Sequence, residues 1–259
     1  MIENYPEVPI FNWLEIETQG SCNRTCKTCL RQTYINPENS THKGRFPVSS
    51  KVGGGSKMPI DTFKKIIDES IDMGFSGWVN LQHFNEPLLD ERLEDFASYA
   101  KNKPEVENVW AFSNMDLITE ERAKNLDGLL DGITVALYMP KEKQAEREKW
   151  LESLFKYTRL DFTKGIHFTT HYSPWSNLNE HIEEQKNKPC TSYNHMLIIA
   201  YDGTVLHCCD DYVGHFGLGN VNTKSVKDIW QSEEHKKLVH DLRSSGGRLK
   251  YKYCSECPR

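Results

Sequence analysis

Eight cysteines stand in this 259-residue sequence, and their spacing is uneven. Cys22, Cys26 and Cys29 share one short stretch; Cys190, Cys208, Cys209, Cys254 and Cys257 all lie far downstream. Thiols kept for packing would scatter, and a reducing compartment disfavours structural disulfides, so clustering points to metal or redox chemistry. Cys22-x3-Cys26-x2-Cys29 can hold three irons of a [4Fe–4S] cluster and leave the fourth iron open. An open iron is a reactive position, by the logic that leaves a catalytic zinc one vacant site. The alternative is structural zinc, from Cys26-x2-Cys29 with Cys254-x2-Cys257. That set leaves Cys22 and Cys190 to Cys209 without a role.

The elements that must position these thiols alternate between strand and helix. Leu14 and Ile16 alternate with Glu15 and Glu17 in a strand that ends just before Cys22. Ile60, Phe63, Ile67 and Ile71 recur at helical spacing, and a strand follows at Trp78–Gln82. The pattern predicts a helix carrying Leu89, Leu93, Phe96, Ala97 and Ala100, then a strand at Val109–Phe112. Thr119 can cap a helix with Ala123, Leu126 and Leu130 on its apolar side. Ile133–Tyr138 reads as a strand, Glu142–Tyr157 as a helix and Ile166–Thr170 as a further strand. Such alternation predicts an α/β fold of parallel βαβ units, an open or partial barrel over residues 1–185. From residue 186 to 259 the pattern changes to a small module. Met196–Tyr201 and Thr204–Cys208 flank Asp202-Gly203 as a β-hairpin, and a helix runs through Val226, Ile229, Trp230, Leu238, Val239 and Leu242.

Composition narrows the partners. A net charge of −5, with acids and bases interspersed, gives no reason to expect a nucleic-acid or anionic-membrane surface. Apolar runs such as Met196–Ala200 are too short to span a bilayer, and the N-terminal residues do not read as a signal peptide. A cytoplasmic protein is expected. The Lys51–Lys57 stretch reads as a flexible glycine-rich loop without the phosphate-binding pattern, and the ten histidines show no His-Glu-x-x-His spacing. Trp175, beside Pro174, could line a substrate pocket.

The first cysteine spacing, placed after the first strand, resembles the signature of the radical S-adenosylmethionine superfamily, across roughly residues 12–257. The resemblance implies a partial (β/α)6 barrel. It also implies that S-adenosylmethionine chelates the open iron through its amino and carboxylate groups. One electron then cleaves the sulfonium bond to a 5′-deoxyadenosyl radical, which abstracts hydrogen from unactivated C–H bonds, chemistry that side chains lack. Gln82-His-Phe-Asn-Glu86-Pro87 falls where the family has a Gly-Gly-Glu-Pro stretch contacting the cofactor's amino group. Glu86 and Pro87 match; Asn85 and Phe84 replace the glycines. The cofactor contacts implied are therefore Glu86, Asn85 and Thr28, the last where the family often has an aromatic residue near adenine.

Cys190-x12-Gly203-x4-Cys208, followed by Cys254-x2-Cys257, resembles the SPASM and Twitch auxiliary-cluster modules. Gly217–Trp230 is similar to their spacer, and a single Cys-x2-Cys pair fits the shorter Twitch version with one fully ligated second [4Fe–4S] cluster. His207, Cys209, Asp210 and Asp211 gather around the ligand Cys208. By likeness to Twitch dehydrogenases, the expected reaction oxidises a sugar-like, aminocyclitol or peptide substrate. The second cluster takes the remaining electron, and a flavodoxin- or ferredoxin-type protein supplies the first. Cys209 and Asp210 are the candidate catalytic side chains. The runner-up is an epimerase with Cys209 as hydrogen donor. A zinc-stabilised binding module is the reading from another class.

Overall fold

A computed structural model describes residues 5–26, 29, 56–163, 186–190, 195–211 and 214–257. Its strands are β1 (Trp13–Ile16), β2 (Gly77–Asn80), β3 (Val106–Ser113), β4 (Gly132–Val135), β5 (Arg159–Phe162), β6 (Met196–Ile199) and β7 (Val205–Leu206). They form one sheet in the order β5-β4-β3-β2-β1-β6-β7, parallel throughout except for β6 with β7. Helices α1 (Ile60–Asp72), α2 (Leu93–Lys101), α3 (Glu120–Leu126) and α4 (Lys141–Leu154) alternate with the first five strands. After β7 come α5 (Val226–Trp230), α6 (Glu233–Leu242) and the short α7 (Lys252–Ser255). The expected α/β partial barrel is borne out: the order is linear, and among the described residues β5 does not meet β7.

Strand register sorts the side chains by face. Leu14, Ile16, Val79, Val109, Ala111, Ile133 and Val135 share one face and are at most 2% exposed. They form a core with Phe63, Ile66 and Ile67 of α1 and Phe96, Ala97 and Ala100 of α2. The opposite face carries Trp13 paired with Trp78, Glu15 with Asn80, Asn80 with Trp110, and Phe112 with Thr134. Its base is aromatic. Trp13 and Trp78 stand 5.5 Å apart and Trp78 and Trp110 5.3 Å, centroid to centroid. Gly132 on β4 makes room for this layer, since a Cβ there would sit 2.1 Å from the Trp110 ring. Polar groups lie beyond the tryptophans, toward the C-terminal strand ends.

Several elements differ from expectation for local reasons. The helix expected through residues 226–242 is two, because Ser232 accepts a hydrogen bond from the His235 amide at 3.2 Å and starts α6. Helix α4 stops at Leu154, three residues early. The Asp127 carboxylate accepts the amides of Lys156, Tyr157 and Thr158 at 2.8–3.0 Å and turns the chain into β5. The sequence reading had not assigned β5. Leu89 stands in a 3-10 turn, Pro87–Leu89, instead of in α2. The Asp202-Gly203 hairpin is present, with Gly203 at φ 84°. Strand β6 also pairs in parallel with β1, so the sheet runs across the expected 185/186 boundary. The expected strand at Ile166–Thr170, residues 51–55 of the glycine-rich loop and Trp175 lie outside the described residues. No helix of the described residues is long and apolar enough to cross a membrane.

Candidate active site

Cys22, Cys26 and Cys29 are half-buried in the chain leaving β1, at the end of a parallel sheet where α/β folds bind ligands. The Cys29 amide donates to the Cys26 carbonyl at 3.0 Å, and the Arg24 amide donates to Cys22 Sγ at 3.4 Å. Tyr138, just past β4, lies within electrostatic reach of all three thiols. Burial raises its pKa first, and Cys26, Cys29 and Cys22 raise it further. Burial likewise raises the Cys26 thiol, against the pull of Arg24 and a hydrogen bond from Tyr138. Among the described residues no three His, Cys, Asp or Glu side chains could hold a single metal ion. One tetrahedral zinc draws its sulfurs to roughly 3.8 Å, whereas a cluster spaces its thiolates across a larger body. Three half-buried thiols sharing one phenol are a donor set that suits such a cluster.

A polar chain fixes this loop to β3. The Glu86 amide donates to the Ser21 carbonyl at 2.9 Å, and Gln19 Nε2 donates to the carbonyls of Ser21 and Glu86. The Glu86 carboxylate, 2% exposed, accepts from Ser113 Oγ at 2.7 Å, the Asn114 amide at 2.9 Å and the Leu88 amide at 3.1 Å. Burial raises its pKa, against these three bonds. Asn114 Nδ2 donates to Asn23 Oδ1 at 2.9 Å, next to Cys22. Arg24 then grips Asp116 with two nitrogens, at 2.5 and 2.8 Å.

On the polar face, Glu15 of β1 accepts from Trp13 Nε1 at 3.2 Å and Asn80 Nδ2 at 3.1 Å, and it pairs with His83 Nδ1. Burial would lower the His83 pKa, but Glu15, then Glu17 and Asp210, hold it above its ordinary value. Three buried polar atoms here have no hydrogen-bond partner among the described residues: Asn80 Oδ1, His83 Nε2 and Asn85 Nδ2. Asn85 Oδ1 is used internally, accepting from the His83 amide at 3.0 Å. A protein seldom leaves three such atoms together unless something else completes them.

The C-terminal thiols occupy different surroundings. The Cys257 amide donates to the Cys254 carbonyl at 3.1 Å, and the Cys190 amide to the Leu242 carbonyl at 2.8 Å. Burial raises the Cys254 thiol, and Cys257 and Cys190 add to the shift. Burial pushes Cys208 well above the ordinary range, helped by Asp210, Cys209 and Asp211. Asp211 accepts the amides of His207 at 3.0 Å and His215 at 2.7 Å; burial lifts its pKa to about 6. Cys209 Sγ lies 3.9 Å from Asp210 Oδ2. Asp241, 3% exposed, ties the module together through Lys237 Nζ and Tyr251 Oη, each at 2.8 Å, and through Lys250.

Of the residues expected to meet the cofactor, Glu86 and Asn85 lie beside the Cys22 loop, with the Glu86 carboxylate engaged by the protein; Thr28 lies outside the described residues. Sequence reasoning missed Glu15, Glu17, His83, Tyr138 and Asp116. A usable signal existed for the first two, because a central strand of a parallel sheet is buried on both faces, so its acids cannot all be solvated.

Residues 190–258 match the SPASM family, described as an iron–sulfur cluster-binding domain. The S-adenosyl-L-methionine-dependent 2-deoxy-scyllo-inosamine dehydrogenase of Niallia circulans is 21% identical over 253 residues, 96% of this chain and 93% of the relative. Among solved structures, BtrN in complex with AdoMet and 2-DOIA superposes with a TM-score of 0.73 at 22% identity, over 97% of this chain and 94% of that one. Native anSMEcpe with bound AdoMet and Cp18Cys peptide gives 0.57 at 15% identity, over 95% and 87%. The family match bears out an iron–sulfur cluster-binding module over residues 190–258. Over nearly its whole length, this chain resembles the radical S-adenosylmethionine enzymes that carry a SPASM- or Twitch-type auxiliary iron–sulfur module.

Proposed function

We propose that this protein oxidises a carbinol carbon of a sugar-like, aminocyclitol or peptide substrate, with Cys22, Cys26 and Cys29 holding one [4Fe–4S] cluster. Cys190, Cys208, Cys254 and Cys257, in a C-terminal unit spanning 186–259, hold the second. The observation that carries this reading is the buried polar centre beside the segment leading to Cys22, where Glu15 pairs with His83 and accepts from Asn80. His83 feels Glu15 and Glu17, from the segment leading to Cys22, and Asp210, two residues beyond Cys208. When bound, the first cluster with S-adenosylmethionine supplies hydrogen-atom abstraction, which no side chain can provide.

The chain's own groups bind, orient and exclude water. Asn80, His83 and Asn85 offer buried hydrogen-bonding atoms to the bound molecules. Glu15 fixes His83 through Nδ1, which leaves Nε2 as the atom where a proton of a substrate hydroxyl is held. The tryptophan layer below forms an apolar floor that keeps water out. Likeness to a 2-deoxy-scyllo-inosamine dehydrogenase favours an alcohol as the reacting group. A flavodoxin- or ferredoxin-type donor supplies the electron. The second reading, an epimerase, has one observation in its favour: the Cys209 thiol beside Asp210. Turnover in deuterated water separates the two, with candidate substrates screened by mass spectrometry. A product lighter by two hydrogens, unaffected by Cys209→Ala, is expected. Deuterium at the reacting carbon, lost in Cys209→Ala, would replace the dehydrogenase with the epimerase.

A further inference from the structure

We infer that Arg24 and Asp116 form a charge-setting clamp that positions the first cysteine loop and fixes the net charge beside it. This inference rests on the reading that Cys22, Cys26 and Cys29 hold a cluster.

The two partners come from different parts of the chain, and each is anchored independently. Arg24 stands two residues from Cys22 and two from Cys26. Its guanidinium carbon lies 4.8 Å over the ring of Tyr138, the phenol that all three thiols influence. Its two bonds to Asp116 form the planar fork that suits a carboxylate. Asn23 Nδ2 adds a third contact to Asp116 at 3.3 Å. Asp116 sits on a turn that the surroundings over-determine. Met115 before it is fully buried at φ 54°, a left-handed conformation that ordinary side chains rarely adopt. The Met115 amide donates to Ser113 Oγ at 2.9 Å, its carbonyl accepts from Arg147 at 2.8 Å, and the Asp116 amide donates to Asn114 Oδ1 at 2.9 Å. A turn held this firmly places the carboxylate where Arg24 must meet it.

The chemical consequence is electrostatic. A guanidinium beside an iron–sulfur centre favours its more negative, reduced state, and a carboxylate opposes that. As a pair they cancel; singly they act in opposite directions. A brace without an electrostatic role would respond alike to loss of either member.

The test is a redox titration of the anaerobically reconstituted full-length protein, followed by electron paramagnetic resonance, with iron content measured for every variant. Asp116→Asn is expected to raise the midpoint potential of the first cluster and Arg24→Gln to lower it. The double variant should return close to wild type. Arg24→Lys, which keeps the charge without the fork, should also stay close to wild type. Shifts in the same direction for the two single variants, or no shift at full iron content, would overturn the inference. Should the wild-type chain take up no iron, the cluster reading fails instead. The clamp is then tested by a double-mutant cycle on thermal unfolding of the cluster-free chain, where coupling between Arg24 and Asp116 is expected and strict additivity would refute it.

Discussion

The two thiol sets differ in what holds them. Around Cys22, Cys26 and Cys29 the protein supplies its own framework: the Glu86 carboxylate with three donors, the Asn114–Asn23 bond and the Arg24–Asp116 fork. Arg24 stands beside Cys26 and pulls its thiol toward ionisation. Around Cys208 and Cys254, burial raises the thiols strongly, and Arg248 alone among the named neighbours of Cys254 opposes the shift. Thiolates are costly there, so a metal group that takes their charge would couple its binding to folding. The difference teaches that the first thiol set is held by polar bonds, whereas the second is packed into the core, with Cys254 inside it and Cys190 and Cys208 against it.

This contrast can be broken by experiment. Replacing Cys22, Cys26 and Cys29 together with Ala should abolish reductive cleavage of S-adenosylmethionine and leave about four of about eight irons, with little change in thermal stability. Stoichiometric zinc without iron in anaerobically purified wild-type protein would sink the cluster assignment altogether. Replacing Cys190, Cys208, Cys254 and Cys257 should remove the other irons and also loosen the module by several kcal/mol, read as proteolysis within residues 190–257. Equal stability of the two multiple variants would erase the distinction drawn here. Glu86→Ala leaves Ser113, Asn114 and Leu88 without their acceptor and should cost about 2–4 kcal/mol by chemical denaturation.

The smallest expected effect concerns Asp241. Burial opposes its ionisation, but Lys237, Lys250 and Tyr251 win and hold its pKa at about 2, below the ordinary 3.8. A depressed carboxylate stabilises the fold fully above its unfolded pKa, and that stabilisation fades as pH falls from about 4 toward about 2. With half-exposed lysines screening the pair, Asp241→Asn should cost roughly 1–2 kcal/mol at neutral pH and flatten the acid limb of the stability profile. An unchanged acid limb would assign the module's cohesion to packing alone.

Sequence periodicity revealed the layers because they obey it. Ile60, Phe63 and Ile67 announce α1, and the Asp202-Gly203 pair announces the hairpin. Cysteine spacing led to both thiol sets without help from coordinates. What stayed hidden depends on contacts between segments far apart in sequence. Nothing near His83 says that Glu15, 68 residues earlier, will pair with it, and nothing near Asp116 announces Arg24, 92 residues away. Strand β5 escaped notice because Arg159-Leu160-Asp161-Phe162 is short and mixed in polarity. Helix breaks at Leu154 and Ser232 came from single side-chain caps, which outweigh a weak periodic signal.

The parallel pairing of β6 with β1 has a mechanical consequence. The segment that carries Cys22 starts from the end of β1, and Cys208 lies two residues past β7, which is hydrogen-bonded to β6. Backbone hydrogen bonds thus tie the strand ends that launch the two thiol-bearing segments into one sheet. Pulling those two strand ends apart would require breaking the β1–β6 ladder, so the roots of the segments move as one piece even where the loops beyond them shift.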